Sequence, residues 1–346
     1  FGMTDISATG LKGTYSEASV DGTAMSGLSA TAVGSNIGGM KAITSATPPA
    51  AVTAGGKISI NGTEITLTGG ADAATSGVAT AGDINKVSGT TGVTASVDAA
   101  TGKMTLTSKS DFTIEDGAPA GALAKTGLTA APAATPVKAV AVTDATLMGS
   151  NGGVSVNGTE VKWGAADSIK TVIDKLATKA GTGATASFKD GRVTLTSGDG
   201  KDIKLANTEK GSLSQLGLSA GTSQAKLTAD TSIELNGVEV KFKKGDTSDA
   251  IVASINSAST GVTASKNADG TLKLFADKNI TVKDGSAGTG LAALGLKDVS
   301  TAGTKSATTM ETTVADLSVL SAASAQQAIQ ALDGAMQQID SQRSQL

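Results

Sequence analysis

The side chains that most often carry out chemistry in proteins are missing from this sequence. Its 346 residues include no histidine and no cysteine. The commonest nucleophile–base pairs, zinc ligands and near-neutral proton shuttles are therefore absent. Asp, Glu, Lys, Ser and Thr remain, but they form no recognisable catalytic motif. We therefore expect a protein that is not an enzyme and that has no cofactor, metal or catalytic residue.

Several short patterns resemble modification or ligand sites, but turn chemistry explains them better. Asn-Gly-Thr at 61–63 and 157–159 matches the N-glycosylation acceptor pattern, whereas the related triplet at 236–238 ends in valine. A hairpin turn explains all three triplets. The segments 199–202 and 267–270 faintly resemble calcium loops but lack the full spacing and a closing glutamate. We interpret all of these segments as turns.

Composition also excludes two classes of partner. Aromatic residues make up 2% of the chain and its net charge is −3, so neither base stacking nor attraction to phosphate favours nucleic-acid binding. No apolar run approaches the roughly 20 residues that a membrane-spanning helix needs. We expect no nucleic-acid partner and no membrane insertion.

The strongest signal is an internal repeat of hairpins. Related segments read ISINGTEI at 58–65, VSVNGTEV at 154–161 and IELNGVEV at 233–240. Each is an Asn-Gly pair between alternating apolar residues, which predicts a two-residue type I′ turn. The predicted repeat-turn residues are Asn61, Gly62, Asn157, Gly158, Asn236 and Gly237.

The turn fixes the register of each hairpin. Ile58 should lie opposite Ile65, and Ile60 opposite Thr63, which sends Glu64 and its counterparts to solvent. The same spacing places Trp163 on the inward face of the second copy, so we interpret it as a core residue. The predicted inward residues are Ile58, Ile60, Ile65 and Leu67, then Val154, Val156, Val161 and Trp163, then Ile233, Leu235, Val240 and Phe242.

A helix should follow the first hairpin of each copy. Helical spacing predicts it in the second copy after a cap at Asp167 or Ser168, and in the third after Thr247 or Ser248. In the first copy, two glycines at 77 and 82 make this helix doubtful. The apolar positions are Ile169, Val172, Ile173 and Leu176 in the second copy, and Ile251, Val252 and Ile255 in the third.

Each copy continues with a second hairpin, a short strand and a helical turn. The predicted fold class is therefore α+β: tandem small modules of antiparallel β-hairpins, each with a packed helix, and a C-terminal amphipathic helix. Because the join between the second and third modules is short and lacks proline, those two should pack more rigidly. The predicted segments are a connector with one strand at 1–50, modules at 51–135, 145–225 and 226–304, and a helix at 313–346.

The last segment has a different character. Ile329, Leu332, Met336 and Ile339 are spaced as an a/d heptad seam. An amphipathic helix without a partner is marginally stable in water. We therefore expect these four residues to pack against partner helices that this sequence does not include.

Residues 316–346 resemble the start of the C-terminal rod helix of bacterial flagellins, through DLSVLSAASAQQAIQALDGAMQQIDSQRSQL. The Asn-Gly modules resemble repeats in the variable regions of flagellins and in the filament cap protein. Residues 3–15, MTDISATGLKGTY, resemble the segment that leaves the rod domain in polar flagellins. Only the last 31 residues are diagnostic alone.

This resemblance implies a secreted structural subunit of the extracellular flagellar filament that acts in motility. The implied partners are other flagellin subunits, an export chaperone and the cap protein, with a host innate receptor or glycans as further candidates. Two alternatives stay open: a filament cap protein, and a surface adhesin or glycan-binding module.

Overall fold

The computed structural model describes residues 12–297, 304–305, 308–313, 329–330, 332 and 335–339. These residues form antiparallel strands in small sheets, with short helices packed on the sheets and with turns and loops between these elements. This confirms the predicted α+β class. The sequence repeats recur as structural repeats, so we keep the names first, second and third module for residues 51–135, 145–225 and 226–304.

The segment that precedes the modules is richer in strands than the sequence predicted. We expected an extended connector with one strand, but four strands form here. Local patterning did not predict them because their partners lie far along the chain. They are β1 (Lys12–Asp21), β2 (Leu28–Ser29), β3 (Thr31–Val33) and β4 (Met40–Ala46).

The first module contains a hairpin, a helical region, a second hairpin, a short strand and a helical turn. Its elements are β5 (Lys57–Ile60), β6 (Thr63–Thr66), α1 (Ala73–Lys86), α2 (Ser88–Thr91), β7 (Val93–Val97), β8 (Met104–Ser108), β9 (Ile114–Asp116) and α3 (Ala122–Thr126), and β10 (Val140–Ala141) follows.

The second and third modules repeat this order. The second comprises β11 (Gly152–Val156), β12 (Thr159–Trp163), α4 (Ile169–Ala177), β13 (Thr185–Lys189), β14 (Arg192–Thr196), β15 (Ile203–Asn207), α5 (Ser212–Gln215) and β16 (Gly221–Ser223). The third comprises β17 (Lys226–Leu227), β18 (Thr231–Leu235), β19 (Val238–Phe242), α6 (Ser248–Ser257), β20 (Thr263–Lys266), β21 (Leu272–Ala276), β22 (Ile280–Asp284) and α7 (Gly290–Ala293), with β23 (Thr304–Lys305) and β24 (Thr308–Thr313) after it.

Two sheets build each module. In one, the first hairpin takes the later short strand, which gives the orders β6-β5-β9, β12-β11-β15-β16 and β19-β18-β22-β23. In the other, the second hairpin takes a strand from the N-terminal segment, which gives β7-β8-β4-β10, β13-β14-β3 and β20-β21-β1-β24. The N-terminal segment therefore adds a strand to the third, second and first modules, in that order.

Strand β1 joins two different parts of the fold. Its residues 12–17 pair with residues 308–313 of β24, and its residues 18–21 pair with residues 273–276 of β21. The sheet of the third module thus continues directly into the two strands through which the chain enters and leaves the modules.

The hairpins have the register that their Asn-Gly turns predict. Ile58 lies opposite Ile65 and Ile60 opposite Thr63, and the second and third copies pair in the same way. All twelve predicted inward residues are buried, Trp163 among them at 5% exposure. Glu64, Glu160 and Glu239 are exposed.

Buried side chains divide the structure into two cores. One continuous cluster runs through the second and third modules and includes side chains of β1, β2 and β3. A separate cluster belongs to the first module. The second and third modules therefore share one core, and the greater rigidity expected of this pair stays a prediction.

The helix of the first module forms, contrary to the doubt that its glycines raised. Asp72 caps α1 by accepting the main-chain N–H of Thr75 at 2.8 Å, and the Thr75 hydroxyl completes a capping box. At Gly77, an added Cβ would lie 2.1 Å from the carbonyl oxygen of Gly102. This glycine therefore allows a close approach between the helix and the second hairpin, which compensates its low helix propensity.

The C-terminal part agrees only partly with the predicted helix. Thr313, placed at the helix start, closes strand β24, because a Thr-rich segment favours extended structure. Residues 329–330, 332 and 335–339 are helical. The rest of the predicted helix lies outside the described residues.

Candidate functional site

The recurring Asn-Gly turns are the first group of candidate residues, and their backbone explains the choice of residue types. The asparagines have φ of 49°, 51° and 49°, and the glycines that follow have φ of 76°, 82° and 83°. Both central positions are therefore left-handed, as a type I′ turn requires. Asparagine tolerates this region better than other non-glycine residues.

Each turn asparagine also binds the third strand of its sheet, a contact that we call the turn clip. The side-chain oxygen of the asparagine accepts the main-chain N–H of one residue in or next to that strand. The main-chain N–H of the asparagine donates to the carbonyl of this same partner residue. The pairs, with the side-chain distances, are Asn61 with Thr113 (3.0 Å), Asn157 with Lys204 (2.8 Å) and Asn236 with Thr281 (2.8 Å).

The amide nitrogen of the turn asparagine is used differently in the three copies. In the first it donates to the carbonyl of Thr91 at 2.8 Å, and in the second to that of Asp202 at 2.9 Å. In the third, Nδ2 of Asn236 is buried and has no hydrogen-bond partner among the described residues. N-glycosylation at the first two turns would have to release these contacts, which supports the interpretation of the Asn-Gly-Thr triplets as turns.

A second recurring contact, which sequence reasoning missed, joins the third strand to the helical turn after it. The residue that ends the strand accepts the N–H of a buried leucine in that turn. The pairs are Asp116 with Leu123 (3.1 Å), Asn207 with Leu213 (2.7 Å) and Asp284 with Leu291 (2.9 Å). The signal that could have found it is an Asp or Asn at the same place in every copy.

A third contact, which we call the helix clip, occurs in two copies. Asn85 of α1 donates to the carbonyl of Ala95 at 2.8 Å and accepts the N–H of the same residue at 2.7 Å. Asn256 of α6 makes the same pair with Ala264, at 3.0 and 2.6 Å. These contacts cover the outer edge of the second hairpin. The repeated Ile-Asn dipeptide at the helix end was visible in the sequence.

Two carboxylates that hold loops have lowered pKa values. The Ser286 hydroxyl and then its main-chain N–H, each bound to Glu239, lower the pKa of that carboxyl from 4.5 to about 2. The N–H groups of Gly121 and Leu123 lower the pKa of Asp116. Both carboxylates are used structurally, with their acceptor oxygens directed at nearby loops.

All four seam residues lie in helical segments of the tail, but only part of their surroundings is described. Ile329, Leu332 and Met336 are 60%, 43% and 61% exposed, and Ile339 is partly exposed. Ala335 is buried. The tail contacts β1, where the main-chain N–H of Ser16 donates to Oε1 of Gln330 at 2.8 Å.

The described residues include no group of three or more acidic side chains that is placed to hold a metal ion. Asp269 instead accepts hydrogen bonds from Thr271, which agrees with a turn at 267–270. In the part of the chain that the structure describes, no helix is long and apolar enough to cross a membrane.

The fold and these contacts define a class: a β-rich tandem-repeat protein in which recurring polar residues hold hairpins, helices and loops together. A known family matches one of the repeats. Residues 224–278 match the model of the flagellin hook IN motif family. The matched range runs from β17 through β21 and contains the Asn236-Gly237 turn. This match supports a flagellum-related protein.

Two solved structures are similar to this chain at low identity. One is the flagellar cap protein FliD from Helicobacter pylori, with 11% identity, a TM-score of 0.16 and coverage of 85% of this chain and 88% of that chain. The other is FliD (HAP2) from Pseudomonas aeruginosa PAO1, with 16% identity, a TM-score of 0.20 and coverage of 58% and 87%. At these TM-scores, neither similarity carries an argument. None of the curated proteins matches.

Proposed function

We propose that this chain is part of a flagellin, the structural subunit of the bacterial flagellar filament. In this proposal the three modules are its surface-exposed variable domains, and the protein acts in motility without enzymatic activity. The resemblance of residues 316–346 to the flagellin rod helix and the hook IN motif at 224–278 support it. The proposed location is the extracellular flagellum.

The observation that carries the proposal is the apolar face of the tail helix. Ile329, Leu332 and Met336 expose large apolar side chains, with exposures of 60%, 43% and 61%. Their heptad spacing suits packing against another helix rather than contact with water. In a filament, rod helices of the same protein and of neighbouring subunits would cover this face.

The pairing of the strands through which the chain enters and leaves the modules supports the same function. The chain enters the modules through β1 and leaves through β24, and these strands pair with each other over residues 12–17 and 308–313. Entry and exit at one place allow the modules to project from a rod without interrupting its packing.

Replacing Leu332 by Asp in the full-length protein tests this proposal. A carboxylate on a face that packs between helices should abolish filament formation, because it would be buried without a partner. Gln337→Asp is the matched control, since Gln337 is an exposed polar residue of the same helix. Normal filament yield from the Leu332 variant, measured by electron microscopy and sedimentation, would contradict the proposal.

A further inference from the structure

The helix clip is missing from the second module. The last fully buried helix residue is Ile84 in α1, Leu176 in α4 and Ile255 in α6. Asparagine follows it in the first and third modules, but Ala177 follows Leu176. In the second module, Ala186 is the equivalent of Ala264, the edge-strand residue that Asn256 binds. Ala186 pairs with Leu195 as Ala264 pairs with Leu274.

A surface cleft of about 850 Å³ lies where the asparagine side chain would be. Both Ala177 and Ala186 line it. By their equivalence to the groups of Ala264 that Asn256 binds, the main-chain N–H and C=O of Ala186 face this cleft. In the described residues no side chain hydrogen-bonds to either group.

We propose that this cleft binds a primary carboxamide, the Asn or Gln side chain of a partner peptide. The sister modules show which chemistry fits an edge residue in this place. One amide group donates to its carbonyl and accepts from its N–H at the same time. A carboxylate can only accept, and an ammonium group can only donate, so neither makes both contacts.

The charged groups around the cleft agree with a neutral ligand. Asp174 and Asp199 line it together with Lys179 and Lys201, two carboxylates and two ammonium groups. The lining therefore provides no excess of either charge to select an ionic ligand.

A whole added strand would not fit in the same place. In the first and third modules, the helix backbone lies only one asparagine side chain away from the edge strand. In the second module α4 packs against β13 in the same manner. A side chain can enter the gap between Ala177 and Ala186, whereas a second backbone would collide with the helix. The inference does not depend on a role in the filament.

The test is an NMR titration of the protein with N-acetyl-asparagine N-methylamide, monitored through backbone amide shifts. We expect a saturable shift at the amide of Ala186, with a dissociation constant on the order of millimolar, as suits so small a ligand. The matched ligand N-acetyl-aspartate N-methylamide, titrated at neutral pH, should shift this amide at least several-fold less.

Ala177→Asn provides the sharpest variant, because the new side chain should occupy the cleft as Asn256 does in its own module. It should remove the response at Ala186, whereas Lys175→Asn, outside the cleft, should leave it unchanged. Should Ala177→Asn fail to fold, Asn256→Ala replaces it, and the amide of Ala264 should then gain a response. No shift at Ala186, an equal shift with the aspartate ligand, or an undiminished shift in folded Ala177→Asn would overturn the proposal, as would an unresponsive Ala264 in Asn256→Ala.

Discussion

The side-chain oxygen of Asn157 accepts the main-chain N–H of Lys204 at 2.8 Å, although 47 positions separate the two residues. A residue chosen for its turn conformation thus also fixes the third strand of the sheet. Asn61 and Asn236 do the same in their modules. The turn clip gives the repeated asparagine two roles, and each role can be measured separately.

Asn157→Ala and Asn157→Gly should separate these roles. Glycine keeps the left-handed turn and the main-chain half of the clip but loses the side-chain hydrogen bonds to Lys204 and Asp202. The loss of these two bonds should destabilise the fold by about 2 kcal/mol. Alanine also strains the turn, which adds about 1 kcal/mol. The fluorescence of Trp163, the one tryptophan of the chain and buried in this module, reports unfolding in denaturant. If both variants were as stable as the natural protein, the turn clip would have no energetic role.

The buried carboxylate of Asp83 should matter far more than its ion pair. It accepts the N–H and the hydroxyl of Thr68, both at 2.7 Å, and Asp83 is 5% exposed. Lys86 lies 3.8 Å from it and is 76% exposed. Asp83→Ala should cost about 2–3 kcal/mol because it removes both hydrogen bonds from Thr68 to a buried carboxylate, whereas Lys86→Ala should cost less than about 0.5 kcal/mol. Thermal unfolding measures both variants, and equal losses would argue against this assignment.

A proline scan of β3 should show that the N-terminal segment completes the second module. The N–H of Gly34 donates to the carbonyl of Val193, and the carbonyl of Ala30 accepts the N–H of Ser197. The N–H of Ala32, which lies between these two residues, therefore points to β14, and the N–H of Val33 points away. Ala32→Pro should therefore raise hydrogen exchange in β14 by about fivefold or more, since a lost ladder bond is worth about 1 kcal/mol or more. Val33→Pro is the control, because proline is tolerated where the N–H faces outward. Equal exchange in the two variants would show that β3 does not hold β14.

The carboxyl of Glu239 should titrate well below an ordinary glutamate. Its pKa is about 2 in the folded protein against 4.5 ordinarily, because the hydroxyl and N–H of Ser286 bind the charged form. Because the folded pKa is depressed, the charged Glu239 stabilises the fold fully above pH 4.5, and this stabilisation is lost as the pH falls towards 2. Carbon-detected NMR titration of the Glu239 carboxyl measures this directly. Ser286→Ala should move the midpoint up towards 4.5, and an unchanged midpoint in that variant would refute the stated cause.

Local patterns were enough to predict the hairpins but not their partners. Asn61-Gly62 specifies a turn, and the turn fixes the register from Ile58 to Ile65. The strands β1 and β3 find their partners more than 150 residues away, so no window of sequence contains the signal. Gly77 reads as a helix breaker until Gly102 is known to lie against it.

The contacts of the candidate site divide in the same way. The turn residues were predicted because conformation alone demands Asn and Gly. The bonding of Asn85 to Ala95 depends on where the helix packs, which only the fold decides. The loss of that contact at Ala177 becomes meaningful only when the three modules are compared.

The most direct test of the central claim is immunogold electron microscopy of the source bacterium, with antibody raised against the first module (residues 51–135). A flagellin with outward-facing modules predicts gold along the whole length of the filament. Gold confined to the filament tip would identify a cap protein instead, and gold only on the cell body would indicate a surface adhesin. Either of these patterns would contradict the account.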